Sequence, residues 1–166
     1  MNRDELVALQ APLKARYRAD PDAARITLRA SGRLGEGVTC SIETGRALID
    51  AGLHPATGGD GTWVCSGDML LEALAACAGV TLGAVATSVG IPLRGGTVAV
   101  EGDLDFTGTL AVDKEAPVGF SDIRVRFDLD TDADADQLDT LLRLTERYCV
   151  VAQTLLRSPT LKITHT

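Results

Sequence analysis

The chain has 166 residues, 45% of them hydrophobic and 23% charged, which fits one globular domain with a real core and excludes an intrinsically disordered chain. Sixteen Lys+Arg against 23 Asp+Glu give a net charge of -7, so no broad basic footprint for nucleic acid or an anionic membrane is expected. Aromatic residues are only 4%, leaving Ala, Val and Leu to fill the core.

The first segment, MNRDELVALQ, carries acidic residues where a secretory signal needs an apolar run, so no signal is expected there. Residues 2–19 are predicted helical, with Asn2 as cap, Glu5 as its capping-box partner, and Leu6, Leu9, Leu13 and Tyr17 forming one apolar stripe. Pro12 should bend or interrupt this helix. The reading divides the chain into a helical appendage over 1–22 and a main domain over 23–166. The appendage should lay its stripe on the body or on a second chain.

Residues 24–31 alternate as a half-buried strand. Glycines 32, 35 and 37 mark a turn, and strands are predicted over 38–42 and 46–49. The stretch GLHPATGGDG, 52–61, reads as a loop. Met69 to Val89 is apolar enough to raise the question of a membrane span. Its Glu72, its two glycines and its Ala-rich make-up suit a helix buried in protein instead. Ser66 is the expected cap, Asp68 lies in the first turn, and Gly90 with Pro92 stops the helix. Strands are expected over 97–106, 108–112 and 121–130, helices over 136–148 and 150–156, and a closing strand over 161–164. The acidic run TDADAD is read as a solvated turn and helix start. This order predicts an α+β fold in which a mostly antiparallel sheet packs on a long central helix. A helix apolar on every face needs more cover than one small sheet gives, so a second copy is expected near it.

Four cysteines remain, none in the paired spacing of a zinc ribbon or a redox CxxC. In a reducing compartment, the cytoplasm, they rest as thiols. Cys77 lies mid-helix in LLEALAACAGVTLGAV and Cys149 at a helix junction in ERYCVVAQTLL. Either suits a small core hydrophobe or a reagent. Cys40, on a strand, and Cys65, before the long helix, are expected to have no catalytic role. His54 reads as a loop residue, Trp63 as packing, and no metal site or phosphate loop is expected.

The stretches SGDMLLEALAACAGVTL and LTERYCVVAQTL, separated by GIPLRGGTVAVEGDLDF and GFSDIRVRFDLD, resemble the OsmC family, which includes the organic hydroperoxide resistance proteins. The resemblance covers roughly residues 24–164. It implies an intertwined homodimer with sites at the interface and no cofactor. It also implies thiol-dependent reduction of organic hydroperoxides, in which Cys77 becomes a sulfenic acid, Cys149 resolves it, and a dithiol or lipoyl-bearing protein restores both. A non-catalytic stress or ligand-binding member with an apolar pocket is the alternative. The family's Gly-Arg-x-Gly turn matches Gly32-Arg33-Leu34-Gly35, so Arg33 is the expected thiolate partner, with Arg46 and then Arg147 behind it. Where the hydroperoxide resistance branch reads Asn-Pro-Glu, this chain reads Ser66-Gly67-Asp68. Asp68 either orients the arginine or only favours the helix start, and Glu72 is a further candidate. Nine residues of helix span about 13 Å, so Asp68 and Cys77 of one continuous helix do not meet one peroxide.

Overall fold

The computed structural model describes residues 3–34, 40–42 and 51–165. Helix α1 (Arg3–Ala19) runs through Pro12 without a break. The proline sits on an exposed face, where water can serve the carbonyl its missing N–H leaves free. Past it, Leu13 packs on the main core and Tyr17 is buried within it. The Tyr17 hydroxyl donates to the Ala56 carbonyl at 2.6 Å. Leu13 and Tyr17 of the stripe therefore pack on the body of their own chain, and the side chains of Leu6 and Leu9 lie outside the described ones.

After a 3-10 turn at Pro21–Ala24 come β1 (Arg25–Leu34), β2 (Cys40–Ile42), the two-residue β3 (Ala51–Gly52) and β4 (Val64–Cys65), and helix α2 (Ser66–Val89). Then follow β5 (Gly95–Asp105), the single-turn helix α3 (Phe106–Thr109), β6 (Phe120–Asp130), α4 (Ala135–Tyr148) and α5 (Val150–Leu156). Four strands form an antiparallel sheet in the order β2-β1-β5-β6, and β3 pairs with β4 in parallel. The α+β reading with a central helix on an antiparallel sheet holds.

Alternation along β5 decides which face meets the helix. Val98, Val100, Gly102 and Leu104 are buried, and their register partners Phe127, Val125 and Ile123 on β6 and Ile26 on β1 share that face. α2 lies across it with Leu71, Leu74, Ala75, Ala78 and Leu82 buried, each leucine worth roughly 1.5–3 kcal/mol. Gly102 leaves room for the Phe120 ring and Leu71, since a β-carbon there would stand 2.6 Å from the ring. A second cluster, with Leu82, Val85, Ala86, Ile91 and Leu141, joins α2 to α4. Gly90, left-handed at φ 75°, ends α2. The opposite sheet face is polar: Arg124 donates to Asp103 at 2.6 and 3.0 Å and also to Asp122.

Several expectations need correction. β1 continues through Gly32 and Arg33 to Leu34, where a turn was expected. Cys65, not Ser66, precedes the first turn of α2, and it makes no side-chain cap bond. The strand expected over 108–112 is absent. Asp105 accepts from the backbone N–H and the hydroxyl of Thr107 at 2.9 and 2.6 Å, which caps a helical turn and ends the strand. Residues 161–164 form no strand; Leu161 and Ile163 are 82% and 89% exposed, and no described strand pairs with them. The strand expected over 46–49 lies outside the described residues.

Candidate active site

Cys77 sits in the middle of α2, and Cys149 occupies the junction at which α4 stops and α5 starts. α4 begins with a full capping box at Asp134 and Gln137 and buries Leu141 and Thr145. Its packing on α2 through Leu141 carries the junction onto the middle of the long helix. The two thiols, 72 positions apart in sequence, are there close enough for each to shift the other's acidity. Cys149 is 1% exposed, while Cys77 is half-buried.

Their surroundings push them in opposite directions. Burial raises the Cys77 thiol, but hydrogen bonds from the Val151 N–H, the Cys149 thiol, the Thr81 hydroxyl and the Val150 N–H outweigh it. The net result is a thiol below its ordinary range. Cys149 stands above that range, chiefly through burial, and its contact with Cys77 adds to the rise. Its sulfur also accepts from the Ala152 N–H at 3.5 Å, so it begins α5 as a helix cap. The two shifts favour the thiolate at Cys77 over the thiolate at Cys149. A thiolate is the nucleophilic form.

An apolar groove of about 620 Å³ opens between β6 and the α4–α5 pair. Phe120, Ile123, Val125 and Phe127 line one side, Leu142, Leu155 and Leu156 the other, with Leu74 and Ala78 of α2 beneath and Cys149 in the lining. Cys77 is at the margin of another apolar surface. Leu70 and Ala73 before it and Val80 and Ala84 after it stand at helical spacing along α2 and are exposed.

Arg33 is not brought to the thiols. Its register partner is Thr97, which is exposed, whereas the neighbouring pair Gly32 and Val98 belongs to the helix-facing side. Period-two alternation therefore puts Arg33 on the solvent face, beside Arg94, Thr97 and Asp128. Among the described residues, the groups that lower the Cys77 thiol are neutral donors. Arg46 lies outside the described residues, and the Arg147 guanidinium stands 5.6 Å from the centre of the Tyr148 ring.

Asp68 also stays apart from Cys77. Nine residues turn a helix through about 900°, which leaves the two side chains on opposite flanks as well as far apart. Asp68 belongs instead with Glu72 and His54. Burial raises its carboxyl and the His54 imidazole pulls it back, while burial and the charge of Asp68 both raise Glu72. His54 accepts from the Ala56 N–H through Nδ1 at 3.0 Å and stacks on Phe106 with centroids 5.1 Å apart. Cys65 is a free, half-buried thiol, and the Cys40 side chain lies outside the described residues. Trp63 is exposed, with its side chain against Gly52. Among the described residues, no group of three His, Cys, Asp or Glu side chains is gathered in a way that suits a metal ion.

The sequence reading missed the donors from Thr81, Val150 and Val151. Thr81 was findable, because a residue four on from a helical cysteine shares its face. The two backbone groups were not, since only the docking of α5 brings them to α2.

Fold and site together define a two-thiol α+β protein whose long central helix carries one of the sulfurs. The family model described as OsmC-like protein matches residues 59–164, and the chain belongs to that family. The crystal structure of an OsmC-like hydroperoxide resistance protein from Jannaschia sp. CCS1 is similar, with a TM-score of 0.58 at 15% identity, covering 86% of this chain and 97% of that one. At that identity the likeness speaks for the fold. No curated protein matches this chain.

Proposed function

We propose that this chain is a thiol peroxidase that reduces organic hydroperoxides. The observation that carries the reading is the contact between Cys77 and Cys149 with their acidities pushed apart. In this reading the Cys77 thiolate attacks the distal oxygen of R–O–OH. The O–O bond breaks, the alkoxide leaves as ROH after taking a proton, and Cys77 becomes a sulfenic acid. The Cys149 sulfur then attacks the Cys77 sulfur, water leaves, and a disulfide forms. An external dithiol, free or lipoyl-borne, restores both thiols and is itself oxidised.

Membership of the OsmC-like family and the likeness to a hydroperoxide resistance protein support a peroxide substrate. The apolar groove beside Cys149 supports a hydrophobic R group over hydrogen peroxide. The exposed stripe of Leu70, Ala73, Val80 and Ala84 next to Cys77 supports a homodimer in which a second copy covers that face. The position of Arg33 on the solvent face favours one competing reading, a ligand-binding protein that uses the groove without turnover.

The deciding experiment follows consumption of cumene hydroperoxide with dihydrolipoamide by wild type, Cys77→Ser and Cys149→Ser. Cys77→Ser should lose turnover to background. Cys149→Ser should accumulate a sulfenic acid that dimedone labels at Cys77. Turnover that survives Cys77→Ser sinks the mechanism, and no turnover with any dithiol leaves the binder.

A further inference from the structure

The groove beside Cys149 has a charge pattern that its apolar walls do not require. Besides the thiol, its lining holds two ionisable groups, Asp122 and Glu146, and no Lys, Arg or His. Asp122 is turned to the other face of the sheet, where it stands opposite Asp103 on β5 and accepts from Arg124. Glu146 is different. Leu142, Thr145, Glu146 and the cap Cys149 stand three and four apart and so share the groove-facing side of α4. Glu146 is exposed there, and among the described residues no ion pair takes up its carboxylate. The neighbouring Arg147 guanidinium lies against the Tyr148 ring.

The β6 wall runs from Phe120 to Phe127, roughly 23 Å of strand. An acyl chain covers roughly 15 Å in one leaflet of a bilayer, so the groove can seat a long chain lengthwise. A carboxylate on such a chain finds no cation in the lining and meets Glu146, whereas an ester meets no like charge. We propose that the groove selects hydrophobic hydroperoxides without a negative charge, acyl esters over free fatty acids, and that Glu146 sets this preference. The proposal rests on the groove receiving the R group of the substrate.

The test titrates cis-parinaric acid and its methyl ester into the full reduced chain at neutral pH and follows the polyene fluorescence. Wild type should bind the ester about tenfold more tightly than the acid. The ester is also the less hydrophilic probe, so two variants isolate the charge. Glu146→Gln should narrow the ratio about fivefold, the effect of two like charges about 4 Å apart in water. Glu146→Lys should bring the acid level with the ester or ahead of it. Glu146 is exposed, so both substitutions leave the core untouched. Wild type binding the acid as tightly as the ester, a ratio unmoved in Glu146→Lys, or no binding of either probe overturns the proposal. Parinarate binding needs no peroxide chemistry, so the two readings fail separately. A Glu146-dependent preference without turnover of cumene hydroperoxide removes the peroxidase alone, and turnover with a ratio that Glu146 does not move removes the selectivity alone.

Discussion

Two carboxylates on α2 are the charges that the fold tolerates least comfortably. Glu72 is raised by burial and by Asp68, and Asp68 is raised by burial. For each, the folded chain holds a proton more tightly than the unfolded chain does. Their contribution to stability is then greatest below the ordinary carboxylate range and is lost as pH rises through the raised folded values. Glu72→Gln should lift Tm by about 1–2 °C at pH 7 and leave it unchanged at pH 4. A melting series from pH 4 to 8 reads this directly, and parallel curves for the two proteins would refute it. Asp68 is a poorer choice for the test, because its place in the first turn of α2 gives it a favourable interaction with the helix start.

Among the elements, α1 is tied to the body chiefly by Tyr17 among the described residues. Its ring is in the main core, and its hydroxyl meets Ala56 in the turn that begins with His54. Tyr17→Phe keeps the ring and leaves the Ala56 carbonyl without that donor. It should cost about 1–2 kcal/mol in urea unfolding with an unchanged m-value. A larger m-value change would mean that α1 had come away from the body.

The elements also show how far the sequence could be read. α2, β5, β6, α4 and α5 were legible because apolar periodicity, Gly90 and the acidic helix start in TDADAD all act locally. α3 was not, because the Asp105 carboxylate, accepting from the N–H and the hydroxyl of Thr107, overrides a stretch that alternates like a strand. The exposed tail at 161–165 was misjudged because alternation says nothing about whether a sheet edge is near enough to pair. The two thiols could be paired only through the family resemblance, since no local pattern links residues 77 and 149. The face on which Arg33 lies depends on β1 running past Gly32, and the glycine argued for a turn there.

At the scale of the molecule, the described residues leave one apolar stripe of α2 uncovered. Its Leu70 and Val80 are 37% and 39% exposed, and Ala73 and Ala84 continue the uncovered stripe. If a second copy covers this face, as proposed, Val80→Glu should turn a dimer into a monomer in size-exclusion chromatography with light scattering. It should do so with little loss of secondary structure, because the glutamate starts from a position already open to solvent. A wild-type chain that is monomeric at tens of micromolar would remove the proposed interface.

The Cys149 sulfur has two engagements at once: it faces Cys77, and it receives the Ala152 amide in the first turn of α5. It cannot leave one partner without disturbing the other. Any covalent event at that atom is therefore written into the backbone next door, and the Ala152 amide becomes a gauge of redox state that needs no dye, label or substrate to be read.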